Sequence, residues 1–223
     1  MQEWIDKAGC FMVKLKGRAR RGGSGTRRAL LYPIGKRVLD VLLSSFLLLA
    51  ALPLFLFASF GIRLSSRGPI LFRQVRLGRR MEPFLLYKFR TMSCRAPRDL
   101  ATAAMPACYL TPFGRFLRKT SIDELPQLYN VLRGDMSLLG PRPVVLSEVE
   151  LIALRAARGV YTVRPGISGL AQISGRDLLS AEDKARLDAE YVRHMSLFSD
   201  IRLLISTVAA VFFRRDIREG NAP

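Results

Sequence analysis

Two adjacent carboxylates, Asp123 and Glu124, lie in a stretch of the chain where most other charged side chains are positive. Arg118 precedes the pair and Arg142 follows it. Such cations can bind an anionic group while a carboxylate attacks it, takes up a proton or binds a divalent metal ion. The pattern therefore indicates chemistry on a phosphorylated substrate, with Asp123 and Glu124 as candidate catalytic and metal-binding residues.

The local sequence admits two predictions for the element that carries these acids. Residues 121–124 match the capping box S-x-x-E, which predicts a helix that opens at Ser121. Pro126 favours instead a helix that begins at Pro126, with both acids just outside it. In either case the acids lie at a helix N-terminus, where the helix dipole stabilises negative charge. Helix capping without catalysis would produce the same local pattern.

Three cations, Lys88, Arg90 and Arg142, are candidates for binding substrate phosphates. Ile70, Phe72 and Val75, and then residues 84–89, predict two short strands around a turn at Gly78. In this hairpin Lys88 and Arg90 lie on one strand face, where they can bind a diphosphate or simply face solvent. Arg142 stands between two prolines, whose stiff backbone suits bidentate phosphate binding. A glycine-rich loop over residues 163–176 contains no Rossmann or P-loop pattern. Cations, Arg164 and Arg176, lie near its two ends.

The segment 41–62 has 22 consecutive residues without a charge, which exceeds the roughly 20 needed to span a bilayer. Pro53, preceded by Leu52, interrupts it near the middle and predicts a break in the helix. Because basic residues flank the segment on both sides, we expect a re-entrant helix that enters the bilayer and returns to the cytoplasmic face. A kinked spanning helix is the alternative, since membrane helices tolerate proline.

The composition narrows the class of protein. The 223 residues carry a net charge of +18, which predicts an anionic partner: a membrane surface, a phosphorylated small molecule or nucleic acid. Three widely spaced cysteines favour a reducing compartment. The single histidine, His194, lies in a polar helical stretch and is expected to be a surface or packing residue.

We predict four regions: a basic, flexible arm over residues 1–35, the membrane helix over 36–66, a cytoplasmic catalytic domain over 67–196, and a C-terminal helix with a basic tail over 197–223. The uncharged part of that last helix is too short to span a bilayer, so it is either an interfacial amphipathic helix or a buried core helix. The predicted fold class is α+β and mostly helical.

Several motifs, in order along the chain, resemble those of bacterial sugar transferases in the monotopic phosphoglycosyl transferase family, in the small form that consists of the catalytic domain. The resemblance covers residues 36 to about 213. It rests on KRVLD, GPILFRQ, YKFRTM, LRKTSIDELPQLYNVLRGDMSLLGPRP, VRPGISGLAQISGR and YVRHMSLFSDIRLL. At the membrane break the family commonly has Ser-Pro, whereas this chain has Leu52-Pro53.

The resemblance implies a reaction: transfer of a sugar 1-phosphate from a UDP-sugar to polyprenyl phosphate, usually undecaprenyl phosphate, with release of UMP. It implies that Asp123 is the nucleophile and forms a phosphosugar-enzyme intermediate, that Glu124 assists by positioning or proton transfer, and that Mg²⁺ binds near the pair. Arg118, Arg142, Lys88 and Arg90 would then bind substrate phosphates, and Arg164, Gln172 and Arg176 the nucleotide.

The family further implies an enzyme on the cytoplasmic face of the bacterial inner membrane, held to an anionic bilayer. It would start glycan assembly for exopolysaccharide, O-antigen or glycoprotein, with downstream glycosyltransferases as further partners and without nucleic acid. Two alternatives remain at this point. One is a membrane-tethered basic protein that binds nucleic acid or lipid without catalysis, and the other is a metal-dependent phosphatase that uses water as acceptor.

Overall fold

The computed structural model describes residues 27–93, 109–175 and 179–212, and side chains between residues 32 and 209 of these ranges. Several predicted features lie outside the described residues. They are most of the basic N-terminal arm, Cys10, Cys94, Cys108, Arg176 and the C-terminal tail.

The apolar segment forms two helices, α1 (Arg27–Ala50) and α2 (Leu52–Ser65), which meet at an angle of 58°. Pro53 lies in the first turn of α2, where its missing N–H costs no helical hydrogen bond. Among the described residues no single helix is long and apolar enough to cross a bilayer, whereas this bent pair taken together is. Many of its apolar side chains are exposed: Leu42, Phe46, Leu49, Leu56, Phe60 and Leu64.

The predicted hairpin is confirmed. Strands β1 (Leu71–Leu77) and β2 (Pro83–Phe89) pair antiparallel, joined by a 3-10 turn over Arg79–Met81. In this register Gln74 lies opposite Leu86 and Arg76 opposite Phe84. Because side chains alternate along a strand, one face of the hairpin carries Gln74, Arg76 and Lys88 toward the protein interior, and all three are buried.

The rest of the described chain is mainly short helices around a second sheet of two strands. β3 (Ser137–Leu139) and β4 (Gly166–Ser168) pair in parallel. A Cβ on Gly166 would lie 2.1 Å from the Gly140 nitrogen, so the two backbones can approach this closely only without a side chain there. The helices are α3 (Pro112–Lys119), α4 (Gln127–Arg133), α5 (Val149–Ala157), α6 (Leu170–Ile173), α7 (Ala181–Arg193) and α8 (Leu197–Phe212). The mostly helical α+β fold class is therefore confirmed.

The C-terminal helix α8 combines the two alternatives that the sequence left open. Asp200 and Leu203 on one side of α8 are buried, while Phe198, Ile201 and Ile205 are exposed. One face thus packs on the core and another presents apolar side chains outward.

Asp200 joins three helices to one another. Its Oδ2 accepts hydrogen bonds from the Tyr32 hydroxyl at 2.8 Å and from Lys36 Nζ at 2.9 Å, and its Oδ1 accepts one from the Tyr191 hydroxyl at 2.9 Å. Burial and the Asp200 charge raise the pKa of Tyr191, so that its hydroxyl stays protonated as a donor. This cluster ties the start of the apolar helix pair to α7 and α8.

Candidate active site

The two acids lie on a single 3-10 turn, Ile122–Glu124, directly before α4. The capping-box prediction is wrong, because Ser121 has a left-handed backbone, with φ 57°, and its side chain forms no capping hydrogen bond. The alternative is right to within one residue: α4 begins at Gln127, directly after Pro126, and both acids lie outside it. Gly134, with φ 91°, ends the helix.

Asn130 docks α4 against the hairpin. Its Nδ2 donates to the Leu85 carbonyl at 2.8 Å, and its Oδ1 accepts from the Tyr87 N–H at 3.1 Å. The side-chain amide thus pairs with the free edge of β2 much as a neighbouring strand would. This contact brings Lys88, the next residue of β2, beside the acidic turn.

Glu124 is held by two cations. Its Oε1 accepts from Lys88 Nζ at 2.8 Å and from Arg142 Nη2 at 2.8 Å. Burial by itself raises the pKa of Glu124, but Arg142 and Lys88 outweigh burial and hold the pKa well below its usual range. Glu124 is therefore a fixed anion at neutral pH.

Asp123 has a different environment only one residue away. Its side chain is buried, with 7% of the residue exposed, and within the described ranges no hydrogen bond reaches its carboxylate. Burial raises the pKa of Asp123 to about 6, against the opposing charges of Lys88 and Arg118 and in concert with that of Glu124. A carboxylate with a raised pKa is more basic and more nucleophilic than an ordinary one, and its oxygens are free to form a new bond.

Lys88 and Arg118 complete the positive side of the site. Burial lowers the pKa of Lys88, and the charge of Glu124 opposes this shift. Arg118 Nε donates to Thr91 Oγ1 at 3.1 Å. The helix that carries Arg118 approaches so closely that a Cβ on Gly114 would lie 1.9 Å from the Thr91 carbonyl oxygen. Gly114 therefore permits the contact through which Thr91 orients Arg118.

The other predicted binding residues lie elsewhere. Arg90 donates to the carbonyls of Ser66 and Arg67 at 2.7 and 3.1 Å, and so ties the end of α2 to the hairpin. Arg164 Nε donates to the Gly134 carbonyl at 2.8 Å, at the opposite end of α4 from the acids. Gln172 Nε2 donates to Ile167 O at 2.8 Å. Their contacts with substrate remain predictions. His194 is exposed at the end of α7 and accordingly is a surface residue.

Sequence reasoning missed a buried arginine beside the site. Arg76 counted only as one of the basic residues that follow the membrane segment, yet 7% of it is exposed and it lies on the inner face of the hairpin. Burial, and then the charge of Arg142, lower its pKa to about 10. The period of two along β1, which groups Arg76 with Gln74, was the signal available in the sequence. Asn130 and Thr91 gave no such signal, because their partners are distant in sequence.

Two adjacent acids, Asp123 buried and Glu124 partly buried, are faced by cations and form a site suited to an enzyme that acts on a phosphorylated substrate. Residues 31–214 match the bacterial sugar transferase family, and the chain belongs to this family of enzymes. The resemblance drawn from the motifs is thereby confirmed, and a non-catalytic basic binding protein is not supported.

Named relatives share much of the chain. An uncharacterized sugar transferase EpsL of Bacillus subtilis is 44% identical over 83% of this chain and 91% of its own length. A UDP-glucose:undecaprenyl-phosphate glucose-1-phosphate transferase of Caulobacter vibrioides is 42% identical over 79% of this chain and 69% of its own. An undecaprenyl-phosphate galactose phosphotransferase of Salmonella typhimurium is 37% identical over 81% of this chain and 41% of its own.

Proposed function

We propose that this transferase moves a sugar 1-phosphate from a UDP-sugar to undecaprenyl phosphate, or another polyprenyl phosphate, and releases UMP. The observation that carries the proposal is the pair of unlike acids: Asp123 is buried without a hydrogen bond among the described residues, beside a Glu124 fixed by Lys88 and Arg142. The relatives' names support the donor and acceptor classes, since they include glucose and galactose transferases that act on undecaprenyl phosphate.

The proposed reaction consists of two displacements at one phosphorus atom. In the first, an oxygen of ionised Asp123 attacks the β-phosphorus of the UDP-sugar, the bond from that phosphorus to the bridging oxygen breaks, and UMP leaves with the electron pair. In the second, a phosphate oxygen of the lipid attacks the phosphosugar-aspartate, and the Asp123 carboxylate is released. Charge on the phosphoryl oxygens is stabilised by Lys88, Arg118 and Arg142.

Glu124 acts by positioning in this scheme. Its low pKa, and its bonds to Lys88 and Arg142, make it a poor proton carrier but a good anchor for both cations. With Glu124 between them, the two cations stay near each other despite their like charges. The structure therefore favours positioning over proton transfer, the two possibilities that the family resemblance implies.

The residues present fit a magnesium ion that is shared with substrate. In the described part of the chain no three His, Cys, Asp or Glu side chains cluster as metal ligands. Mg²⁺ commonly binds through only one or two carboxylates and completes its shell with water and substrate phosphates. Asp123, whose oxygens carry no hydrogen bond within the described ranges, and Glu124 would hold the ion, which would neutralise charge on the donor diphosphate.

We further propose that the bent pair α1 and α2 is a re-entrant anchor on the cytoplasmic face of the bacterial inner membrane. The 58° bend at the predicted break and the exposed apolar side chains of both helices support this orientation, as do the outward-facing Phe198, Ile201 and Ile205 of α8. A shallow re-entrant anchor would keep Asp123 near the depth at which the lipid phosphate lies. Tags on Met1 and Pro223 that react from opposite sides of the membrane would contradict it.

The decisive experiment incubates the protein with Mg²⁺ and a UDP-sugar labelled in its β-phosphate, without any lipid. Label bound covalently to wild type, absent from Asp123→Asn and present in the control Asp183→Asn, is the expected result. UMP release that requires lipid and leaves no labelled protein would contradict the covalent mechanism. Addition of undecaprenyl phosphate should then move the label to lipid, whereas release to water as sugar phosphate would indicate a phosphatase.

A further inference from the structure

The segment 141–143, Pro-Arg-Pro, is held through its backbone carbonyls. The N–H of Gly166 donates to its first carbonyl at 2.9 Å, Arg155 Nη1 donates to the second at 2.7 Å, and Arg76 Nη1 donates to the third at 3.2 Å. Both prolines lack an N–H and have a fixed φ. The position of the segment is therefore set by the groups that bind its oxygens, and two of these are guanidinium groups.

Arg155 reaches the segment from α5 and is itself fixed from α7. Only 3% of Arg155 is exposed, and its Nη2 forms an ion pair with Asp188 Oδ2 at 2.5 Å. A buried ion pair gains little net stability, because both charges lose their hydration. Asp188 leaves the Nη1 group of Arg155 available for the Arg142 carbonyl. The pair thus acts as a rigid support under the segment.

Arg76 is a more costly donor. Its Nη2 donates to Gln74 Oε1 at 2.6 Å, and no carboxylate in the described part of the chain lies within ion-pair distance of its guanidinium. A buried cation without an anionic partner destabilises a fold unless hydrogen bonds compensate for its lost hydration. Here it binds the Pro143 carbonyl, next to the residue that contacts Glu124.

The side chain of Arg142 needs such a support. It is 42% exposed, so packing adds little to the placement that its hydrogen bond to Glu124 provides. A bidentate contact with phosphate requires placement to within about 0.5 Å. With the backbone immobilised on both sides of Arg142, less freedom is lost when the side chain binds an anion.

We propose that Arg76 and Arg155 are positioning residues that hold Arg142 in place by binding the carbonyls of the segment 141–143. The inference rests on the proposed function, in which Arg142 binds the donor diphosphate. Neither arginine touches substrate; each acts through Arg142. Asp188 belongs to the same support, because it orients Arg155.

The test removes the support without leaving a buried charge unpaired. Arg155→Met combined with Asp188→Leu replaces the ion pair by apolar side chains, a change that folds often tolerate. On the wild-type background, kcat/KM for the UDP-sugar should fall about 10- to 100-fold, as when a supporting hydrogen bond is lost. On an Arg142→Ala background the same double substitution should lower kcat/KM by less than about threefold, because the side chain that the support positions is already absent. The exposed Arg186→Met serves as the control.

An equal loss of kcat/KM on the wild-type and Arg142→Ala backgrounds, or no loss on either, would overturn the proposal. Arg76→Gln, measured in the same cycle, provides a second route if the first variant does not fold, and it should show the same dependence on Arg142. If wild type itself releases no UMP, the proposed function has failed, and the support is then judged by hydrogen exchange alone. Faster amide exchange over residues 142–148 in Arg155→Met/Asp188→Leu is expected, and unchanged exchange would refute the support.

Discussion

Asp123 and Asp200 are both buried carboxylates, and their surroundings differ sharply. Asp200 is 1% exposed and accepts three hydrogen bonds, from Tyr32, Lys36 and Tyr191. Asp123 is 7% exposed and accepts none within the described ranges, although Lys88 and Arg118 are near enough to affect its pKa. The two carboxylates are similarly buried, but within the described ranges only that of Asp200 accepts hydrogen bonds.

The difference fits a structural role for Asp200 and the proposed catalytic role for Asp123. Three donors compensate Asp200 for its lost hydration, so the region can be rigid and join helices. Around Asp123 the nearest anion, Glu124, takes up the hydrogen bonds of Lys88 and Arg142 instead. Asp123 thus retains unused acceptor capacity that a substrate or a metal ion can satisfy.

The largest effect should come from Asp123→Asn. An amide cannot displace UMP, so turnover should fall by about 10⁴-fold, the scale seen when a nucleophile is removed. Steady-state release of UMP from the UDP-sugar measures it. Turnover retained within about tenfold would remove Asp123 from the chemistry and would end its contrast with Asp200.

Asp200→Ala should have the largest effect on folding. It leaves the Lys36 cation and two tyrosine hydroxyls without their shared acceptor, which should cost about 3–5 kcal/mol. Thermal unfolding in detergent, compared with Asp183→Ala at an exposed site, measures the change. A melting temperature equal to that of the control would mean that Asp200 is not a structural carboxylate.

Ionisation of Asp123 should make the stability of the wild-type protein depend on pH, and Asp123→Asn should lack this contribution. Because burial raises its pKa from 3.8 to about 6, the stability associated with protonated Asp123 is complete below the unfolded value and is lost as the pH rises through about 6. Asp123→Asn should therefore be more stable than wild type by about 1–3 kcal/mol at about pH 8, and equal to it near about pH 4.

That comparison is measured by chemical or thermal unfolding of the metal-free protein at both pH values. A variant no more stable than wild type at the higher pH would show that Asp123 is satisfied in a way the structure does not contain. A gain at both pH values would point to a cause other than ionisation.

Glu124→Gln should destabilise the fold where Asp123→Asn stabilises it. The amide still accepts a hydrogen bond but no longer offsets the charge of Lys88 or Arg142, and a loss of about 1–2 kcal/mol is expected. Thermal unfolding at neutral pH gives the value. Two changes of the same sign at neighbouring positions would contradict the division between a fixed and a free acid.

Much of the fold could be predicted from patterns local in sequence. The apolar residues on either side of Gly78 predicted the hairpin, Pro126 predicted the start of α4 to within one residue, and the charge-free run with Pro53 predicted the broken helix. Interactions between residues distant along the chain could not be predicted in this way. Asn130 reaches the edge of β2, and Arg155 reaches the Arg142 carbonyl, because tertiary packing brings them together.

The acid pair and its cations were found for a related reason. The sign of each side chain's charge is known from the sequence. The candidate site residues Asp123, Glu124, Lys88 and Arg142 could therefore be named. The burial of a single cation cannot be predicted from the sequence. Arg76 was therefore grouped with the basic residues that flank the membrane segment, although it is buried. The glycine-rich loop 163–176 matched no known nucleotide-binding pattern, and at Gly166 the structure shows close backbone packing against Gly140.

The smallest expected effects compare two strained backbones, Ser121 at φ 57° before the acids and Arg80 at φ 59° in the hairpin turn. A non-glycine residue in this conformation costs about 1 kcal/mol, and glycine relieves the strain while adding entropy to the unfolded chain. Ser121→Gly and Arg80→Gly should therefore each change stability by less than about 1 kcal/mol. Turnover should fall severalfold only in Ser121→Gly, because its backbone leads directly into the turn that places Asp123. Equal turnover in both variants would mean that strain beside the acids has no more to do with catalysis than strain in the hairpin.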